Sequence, residues 1–198
     1  KGGNGNLRFV NDVYATNLDV EGTGTVNLNG NYTGTALRYN DNGIVKLADG
    51  KNIDSAITTA TTNTGTLTLN GSSTVSGQVG DLTHSLKEIN AGVAGSTSTF
   101  DSDVYASNLK MIGSGTVNLN SNLTGNVVTT GNNQGILTTI GANQTITGNI
   151  GSSTSLDLGI LNIGSDTDAT NYSKTTINGN VFAASTILNN DGTNSSEL

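Results

Sequence analysis

The feature that most constrains this chain is a repeat with a fixed spacing. The segment Gly-Thr-Val-Asn-Leu-Asn occupies residues 24–29 and returns unchanged at residues 115–120, an offset of 91 residues. At the same offset, residues 12–18 (Asp-Val-Tyr-Ala-Thr-Asn-Leu) return at 103–109 with serine in place of threonine. A shorter relative, Gly-Thr-Leu-Thr-Leu-Asn-Gly, lies between the copies at residues 65–71. Self-similarity at a fixed period is typical of stacked repeats, so the sequence predicts a solenoid.

Each copy predicts a short strand followed by a bend. Apolar residues alternate with small polar ones, as in Val26-Asn27-Leu28, and this alternation gives a strand one buried face. The Asn-Gly pairs at 29–30, 42–43, 70–71 and 178–179 are expected to supply the positive φ that tight bends need. Apolar clusters recur roughly every 8–10 residues, which is the spacing of strands separated by turns.

These strands predict an all-β chain that winds into a right-handed parallel β-helix with three strands per coil. Three strands and their bends need about 22–30 residues, so the repeat offset corresponds to about four coils. Residues 1–198 then form a single β-helix segment of about eight to nine coils, about 40 Å tall at roughly 4.8 Å per coil. Aliphatic side chains are expected to form inward ladders, with Asn and Thr on the bends and outer faces.

The composition favours a thin, extended core over a compact one. Hydrophobic residues make up 33% of the 198 residues and aromatic residues 4%, which is low for a globular domain of this length. Charged residues make up only 12% and proline is absent, and both facts argue against disorder. A chain without proline also keeps its backbone donors for ladder hydrogen bonds. Cysteine is absent, which excludes disulfides and thiol chemistry.

The net charge and the positions of the Lys and Arg residues indicate which partners are expected. The formal net charge is −7, and the eight Lys and Arg residues are scattered along the sequence. No basic patch is therefore expected, and nucleic acid is not expected as a partner. No apolar run reaches the length of a membrane span, so this segment is not expected to insert into a membrane.

Residues suited to catalysis or metal binding are few. The single histidine is His84, and the Gly-x-Ser-x-Gly turn that carries many nucleophilic serines is absent. Paired carboxylates, which cleave glycosidic bonds, occur at Asp101 and Asp103 and again at Asp166 and Asp168. The sequence predicts no catalytic residue, no cofactor and no metal site. A β-helical polysaccharide hydrolase or lyase is the enzymatic alternative.

One segment departs from the strand pattern. Leu82, Leu86 and Ile89 stand at helical spacing, and a Gly- and Ser-rich run follows at residues 90–99. An extruded loop or short helix is therefore expected around residues 81–99, and a deletion of residues 83–98 is expected to spare the fold. The residues of this candidate interaction loop are Asp81, His84, Lys87 and Glu88.

Several phrases of the chain resemble a known family. These are residues 65–80 (Gly-Thr-Leu-Thr-Leu-Asn-Gly-Ser-Ser-Thr-Val-Ser-Gly-Gln-Val-Gly), residues 86–92 (Leu-Lys-Glu-Ile-Asn-Ala-Gly) and the repeated Asp-Val-Tyr-Ala-x-Asn-Leu. They are similar to the passenger region of the rickettsial surface-cell-antigen autotransporters, of the outer membrane protein B type. The resemblance is densest over residues 44–130 and looser after residue 150.

The resemblance implies a passenger displayed on the extracellular side of a bacterial outer membrane. It implies a parallel β-helix that acts in host-cell adhesion and invasion and in a surface protein layer. The expected partner is a host cell-surface protein receptor, and the family carries no catalytic motif. The chain is then expected to be a segment of a longer passenger, with self-association through open coil ends. A purely structural layer component without a receptor is the other alternative.

Overall fold

The computed structural model describes residues 3–152, 155–164 and 173–189. All regular elements in these residues are β-strands. The strands are β1 (Asn6–Phe9), β2 (Val13–Tyr14), β3 (Asn17–Val20), β4 (Thr25–Leu28), β5 (Tyr32–Tyr39), β6 (Ile44–Leu47), β7 (Ile53–Thr59), β8 (Thr64–Leu69), β9 (Ser73–Val75), β10 (Leu86–Ala91), β11 (Thr97–Phe100), β12 (Val104–Met111), β13 (Thr116–Leu119), β14 (Leu123–Thr129), β15 (Gln134–Thr139), β16 (Asn143–Thr147), β17 (Leu158–Ile163), β18 (Lys174–Asn178) and β19 (Ala183–Leu188).

Parallel pairing between these strands builds three faces. Face 1 consists of β1, β4, β6, β8, β10 and the second halves of β12 and β14. Face 2 consists of β2, the starts of β5 and β7, and then β9, β11, β13, β15, β17 and β19. Face 3 consists of β3, the ends of β5 and β7, the starts of β12 and β14, and then β16 and β18. Where a turn forms no strand, a single bridging residue continues the face. Val79 does so on face 3, and Ile150 does so on face 1.

The described chain makes about eight turns, which confirms the predicted parallel β-helix. On face 1, Leu7 is in register with Val26 and Val26 with Val45, so the first turns take 19 residues each. Val45 pairs with Leu67 and Leu67 with Ile89, so the next two turns take 22 residues. The first turns are thus shorter than expected, because several bends need only two or three residues.

The two copies of the repeated segment lie on different faces. From Val26 on face 1, the register partners run through Val45, Leu67 and Ile89 to Leu109, which is four turns away on the same face. The second copy forms β13, which follows on face 2. The offset therefore spans four turns and one further face, which agrees with the expected value of about four coils.

Inward side chains of the three faces fill a narrow core. The largest fully buried side chains include Tyr32, Tyr39 and Phe100, with Leu, Ile and Val for most of the rest. The two phenols remain paired, since Tyr32 donates to the carbonyl oxygen of Ala36 at 2.8 Å and Tyr39 to that of Thr66 at 2.9 Å. No charged side chain is buried among the described residues. The core therefore needs no ion pairs, and each turn is stabilised by the apolar area that it covers on the turn before.

Side-chain oxygens at the bends continue the ladder from turn to turn. Asp12 Oδ1 accepts from the backbone N–H of Asn31 at 2.8 Å, and Asn31 Oδ1 accepts from that of Asn52 at 2.9 Å. Asn52 Oδ1 then accepts from the N–H of Thr74 at 2.9 Å. Bends leave backbone donors outside the strand ladders, and these oxygens satisfy them. The expected polar ladder at the bends is confirmed, and it explains the abundance of Asn.

The Asn-Gly pairs serve a different purpose from the one expected. The glycines of these pairs are Gly30, Gly43, Gly71 and Gly179, and none of them has a positive φ. A Cβ at any of them would collide with atoms of the preceding turn. Among the described non-glycine residues, Asn63, Asn133 and Ser155 instead take positive φ, at 60°, 52° and 100°. The prediction of φ was wrong because close stacking, rather than the dihedral angle, selects glycine at these four bends.

Candidate binding loop at residues 80–85

The most distinctive outward feature lies at the end of the fourth turn. On face 3 this turn contributes only the bridge at Val79, which pairs with Ile57 below and with Val104 above. Residues 80–85 then leave the stack before β10 begins at Leu86. Gly80 holds the first residue of this segment against the turn below, since its N–H donates to the carbonyl oxygen of Ile57 at 2.7 Å. Because these residues are the candidate for contact with a partner, we call residues 80–85 the binding loop.

The carboxylate of Asp81 organises the binding loop. Its Oδ1 accepts three hydrogen bonds of 2.7 Å, from the hydroxyl of Thr83 and from the backbone N–H groups of Thr83 and His84. These hydrogen bonds, first the one from the Thr83 hydroxyl, lower the pKa of Asp81 to about 2, with a smaller contribution from the charge of His84. The anion is therefore the form that holds the loop in shape at neutral pH.

Further contacts close the loop and join it to the turn below. The N–H of Asp81 donates to the carbonyl oxygen of His84 at 3.1 Å. The hydroxyls of Thr62 and Ser85 lie 3.0 Å apart, and the N–H of Asn63 donates to the carbonyl oxygen of Ser85 at 2.7 Å. The loop is consequently tied both to itself and to the stack, and its backbone is preorganised.

Leu82 occupies the outermost position of this loop. Its exposed fraction, 83%, is the highest among the large hydrophobic residues of the described chain. Helical spacing grouped Leu82 with Leu86 and Ile89, but the last two are fully buried in strand β10. The short helix is thus not formed, and Leu82 was missed as a candidate. Asp81 was the available signal, since an Asp side chain that hydrogen-bonds the backbone two residues on predicts an Asx turn at Leu82 and not a helix.

The four predicted loop residues divide between two elements. Asp81 and His84 belong to the binding loop, whereas Lys87 and Glu88 lie on strand β10. Glu88 Oε2 is 3.8 Å from Nζ of Lys110 on the next turn of face 1. The structure therefore does not bring these four side chains together as one site.

The proposed deletion of residues 83–98 would not remove a loop. It would remove all of β10 and the first half of β11, which are layers of faces 1 and 2. The remaining Gly- and Ser-rich part is only the bend at residues 92–96. The expectation that this deletion spares the fold is therefore wrong, and point substitutions within residues 81–84 are the appropriate test.

The carboxylates considered for glycan cleavage have structural partners. Asp101 accepts from the side-chain amide of Asn120 at 2.8 Å. Asp103 Oδ1 accepts from the hydroxyl of Ser121 and from the backbone and side chain of Asn122. Burial alone would raise the pKa of Asp103, but the hydrogen bonds outweigh it and the pKa is lowered. Both groups tie successive turns together, and Asp166 and Asp168 lie outside the described residues.

Tyr105 lies beside the binding loop and beside Asp103. Its N–H donates to the carbonyl oxygen of Val79 at 2.7 Å, and its hydroxyl is 3.4 Å from Asp103 Oδ2. Partial burial raises its pKa, as do the charges of Asp103 and, more weakly, of Asp81. The phenol therefore stays protonated at neutral pH and acts as a hydrogen-bond donor.

Residues 3–152, 155–164 and 173–189 contain no group of three or more His, Cys, Asp and Glu side chains placed to hold a metal ion. Within the same residues, no helix has the length and apolar character of a membrane span. Comparisons with protein-family models, with curated proteins and with solved structures gave no match to this chain.

Proposed function

We propose that this chain is a surface-displayed β-helical passenger segment that supports adhesion to host cells, and that it is not an enzyme. The observation that carries the proposal is the exposure of Leu82 at the outermost position of a loop held rigid by Asp81. A rigid scaffold with an exposed loop is the usual arrangement of a recognition surface.

Energetics favour a binding role for this loop. An exposed leucine gains free energy when a partner covers it, about 1.5–3 kcal/mol for complete burial of the side chain. Because the hydrogen bonds to Asp81 already fix the backbone, little conformational entropy is lost when a partner binds. The loop therefore combines an apolar side chain that a partner can cover with a backbone that is already ordered, and both features favour binding.

The proposed location is the extracellular side of a bacterial outer membrane, and the resemblance to the rickettsial surface-cell-antigen passengers supports this part of the proposal. The absence of cysteine and proline suits a chain that crosses a membrane unfolded and then stacks turn upon turn outside. The proposed partner is a host cell-surface protein. Self-association through coil ends is part of the same proposal.

The experiment compares Leu82→Asn with Val10→Asn in binding of the labelled chain to cultured mammalian cells. Val10 is also largely exposed and lies on the first turn, away from the loop, so this variant controls for loss of apolar surface. We expect Leu82→Asn to reduce cell binding about fivefold or more, the effect of losing an interface anchor. Val10→Asn should bind like the wild type, and both variants should unfold at the wild-type denaturant concentration.

A second variant tests the hydrogen bonds to Asp81 that hold the binding loop in shape. Asp81→Ala removes the acceptor of three hydrogen bonds but keeps Leu82. We expect weaker cell binding with an unchanged stack, measured by far-UV circular dichroism. Full binding by Leu82→Asn would contradict the proposal and would favour a structural layer component without a receptor.

A further inference from the structure

Coiling brings distant cations into one column on face 1. The column consists of residues that are successive register partners, Arg8, Asn27, Lys46, Thr68, Asn90 and Lys110. Each of them alternates along its strand with buried or partly buried residues, as Lys46 does with Val45 and Leu47, so the column points outward. The cations look scattered in the sequence because successive members are 19 to 22 residues apart.

Charge is segregated between face 1 and the rest of the described chain. The strands of face 1 carry four cations, Arg8, Lys46, Lys87 and Lys110, and a single carboxylate, Glu88. The other described residues carry three cations and ten carboxylates. Those carboxylates are Asp12, Asp19, Glu21, Asp41, Asp49, Asp54, Asp81, Asp101, Asp103 and Asp157. An acidic chain therefore presents one face with a net positive charge.

The column also has a regular spacing and a mixed polar chemistry. At about 4.8 Å per turn, Arg8 and Lys46 are about 10 Å apart along the axis, and Lys46 and Lys110 about 14 Å. Amide or hydroxyl side chains, at Asn27, Thr68 and Asn90, fill the turns between them. Lys110 keeps a 35% exposed side chain beside Glu88, and both Arg8 and Lys46 are exposed.

We propose that face 1 binds a linear anionic polysaccharide that lies along the axis of the stack. Its sulfate or carboxylate groups would pair with the cations, and its hydroxyls with the intervening amides and hydroxyls. The described outward positions of face 1 contain no aromatic side chain, so the stacking platforms typical of single-stranded nucleic acid binding are missing there. This site is separate from the binding loop and does not depend on it.

The test uses heparin as the probe, because it is a linear polysaccharide that carries both sulfate and carboxylate groups. One variant changes Arg8, Lys46 and Lys110 to Gln. A matched variant changes Arg38, Lys51 and Lys174 to Gln, which removes the same charge from other parts of the chain. Affinity for labelled heparin is measured at about 50 mM salt, where screening is weak, and oligo-deoxycytidine and polyglutamate serve as competing polyanions.

We expect the face 1 variant to lose about tenfold in affinity for heparin, since three exposed ion pairs of ordinary strength amount to about that factor. The matched variant should keep wild-type affinity, and heparin should be preferred to both other polyanions. The proposal is overturned if the wild type does not bind heparin, or if both variants weaken equally. It is also overturned if oligo-deoxycytidine or polyglutamate binds as tightly as heparin. Wild-type denaturation curves for both variants establish that the stack is intact.

Discussion

Residues 12–29 and 103–120 have closely similar sequences but occupy different faces of the stack. The Asp-Val-Tyr phrase forms β2 on face 2 in the first copy and begins β12 on face 3 in the second. The Thr-Val-Asn-Leu phrase forms β4 on face 1 and then β13 on face 2. The bend chemistry is the same in both, since Asp12 accepts from the N–H of Asn31 and Asp103 from that of Asn122. The repeated sequence therefore specifies a strand and its bend, and it does not specify the face on which the strand lies.

The surroundings of the two copies nevertheless differ. Tyr14 is 76% exposed on the first described turn, whereas its equivalent Tyr105 is partly covered beside the binding loop. Asp103 accepts from Ser121 and Tyr105 as well as from Asn122, whereas Asp12 has one such bond. The same residues thus acquire different roles according to what packs on the neighbouring turns.

The largest effects should come from the core, where the copies are equivalent. Leu28 and Leu119 are matched residues and both are buried. We expect Leu28→Ala and Leu119→Ala each to lower the free energy of unfolding by about 2–5 kcal/mol, because each leaves a cavity in the narrow core. Denaturant unfolding measures both variants. If the losses in the free energy of unfolding of the two variants differ by more than about 2 kcal/mol, the two faces are not equivalent.

A smaller effect should separate the two copies at their bends. Asp103→Ala leaves Asn122 and Ser121 without their acceptor, so we expect a loss of about 1–3 kcal/mol. Asp12→Ala removes one hydrogen bond and should cost about 0.5–1.5 kcal/mol. Equal losses, measured in the same unfolding assay, would show that the extra contacts of Asp103 contribute nothing.

The pH dependence of Asp103 should follow the direction of its pKa shift. Because the folded chain lowers this pKa, the carboxylate stabilises the fold at pH values above its ordinary pKa of about 3.9, and this contribution is lost as the pH falls below that value. The stability difference between the wild type and Asp103→Asn should therefore shrink between about pH 5 and pH 3. A difference that stays constant through this range would mean that the charge of Asp103 is not what stabilises the bend.

The smallest effect concerns the two tyrosine hydroxyls. Tyr105→Phe removes a long hydrogen bond to Asp103 and should cost less than about 1 kcal/mol. Tyr14→Phe, in the exposed copy, should be neutral within about 0.5 kcal/mol. A destabilising effect of Tyr14→Phe greater than that of Tyr105→Phe would reverse the comparison.

The fold class could be predicted because the alternation in segments such as Val26-Asn27-Leu28 fixes which side of a strand is buried, and the repeat fixes that strands stack. The face on which each strand lies could not be predicted. It depends on the number of residues in every bend, which varies between turns. The glycines of the Asn-Gly pairs were identified as bend residues, but the reason for them, contact with the turn below, exists only in the stack.

The binding loop was located only in part. Its boundaries were set too wide because Leu82, Leu86 and Ile89 fit a helical period by chance, although the last two are strand residues. The column of Arg8, Lys46 and Lys110 could not be recognised at all, since its members are far apart in the sequence and meet only through the register of face 1.

The account depends most on the stacking register, and engineered disulfides test it directly because the natural chain has no cysteine. Thr99 and Asn118 are register partners on face 2, and Asn90 and Lys110 are partners on face 1. Replacing either pair by cysteine should give a disulfide on mild oxidation, while cysteines at positions 90 and 118 should not join within one chain. A disulfide between positions 90 and 118, with none between 99 and 118, would contradict the assignment of the second repeat copy to face 2.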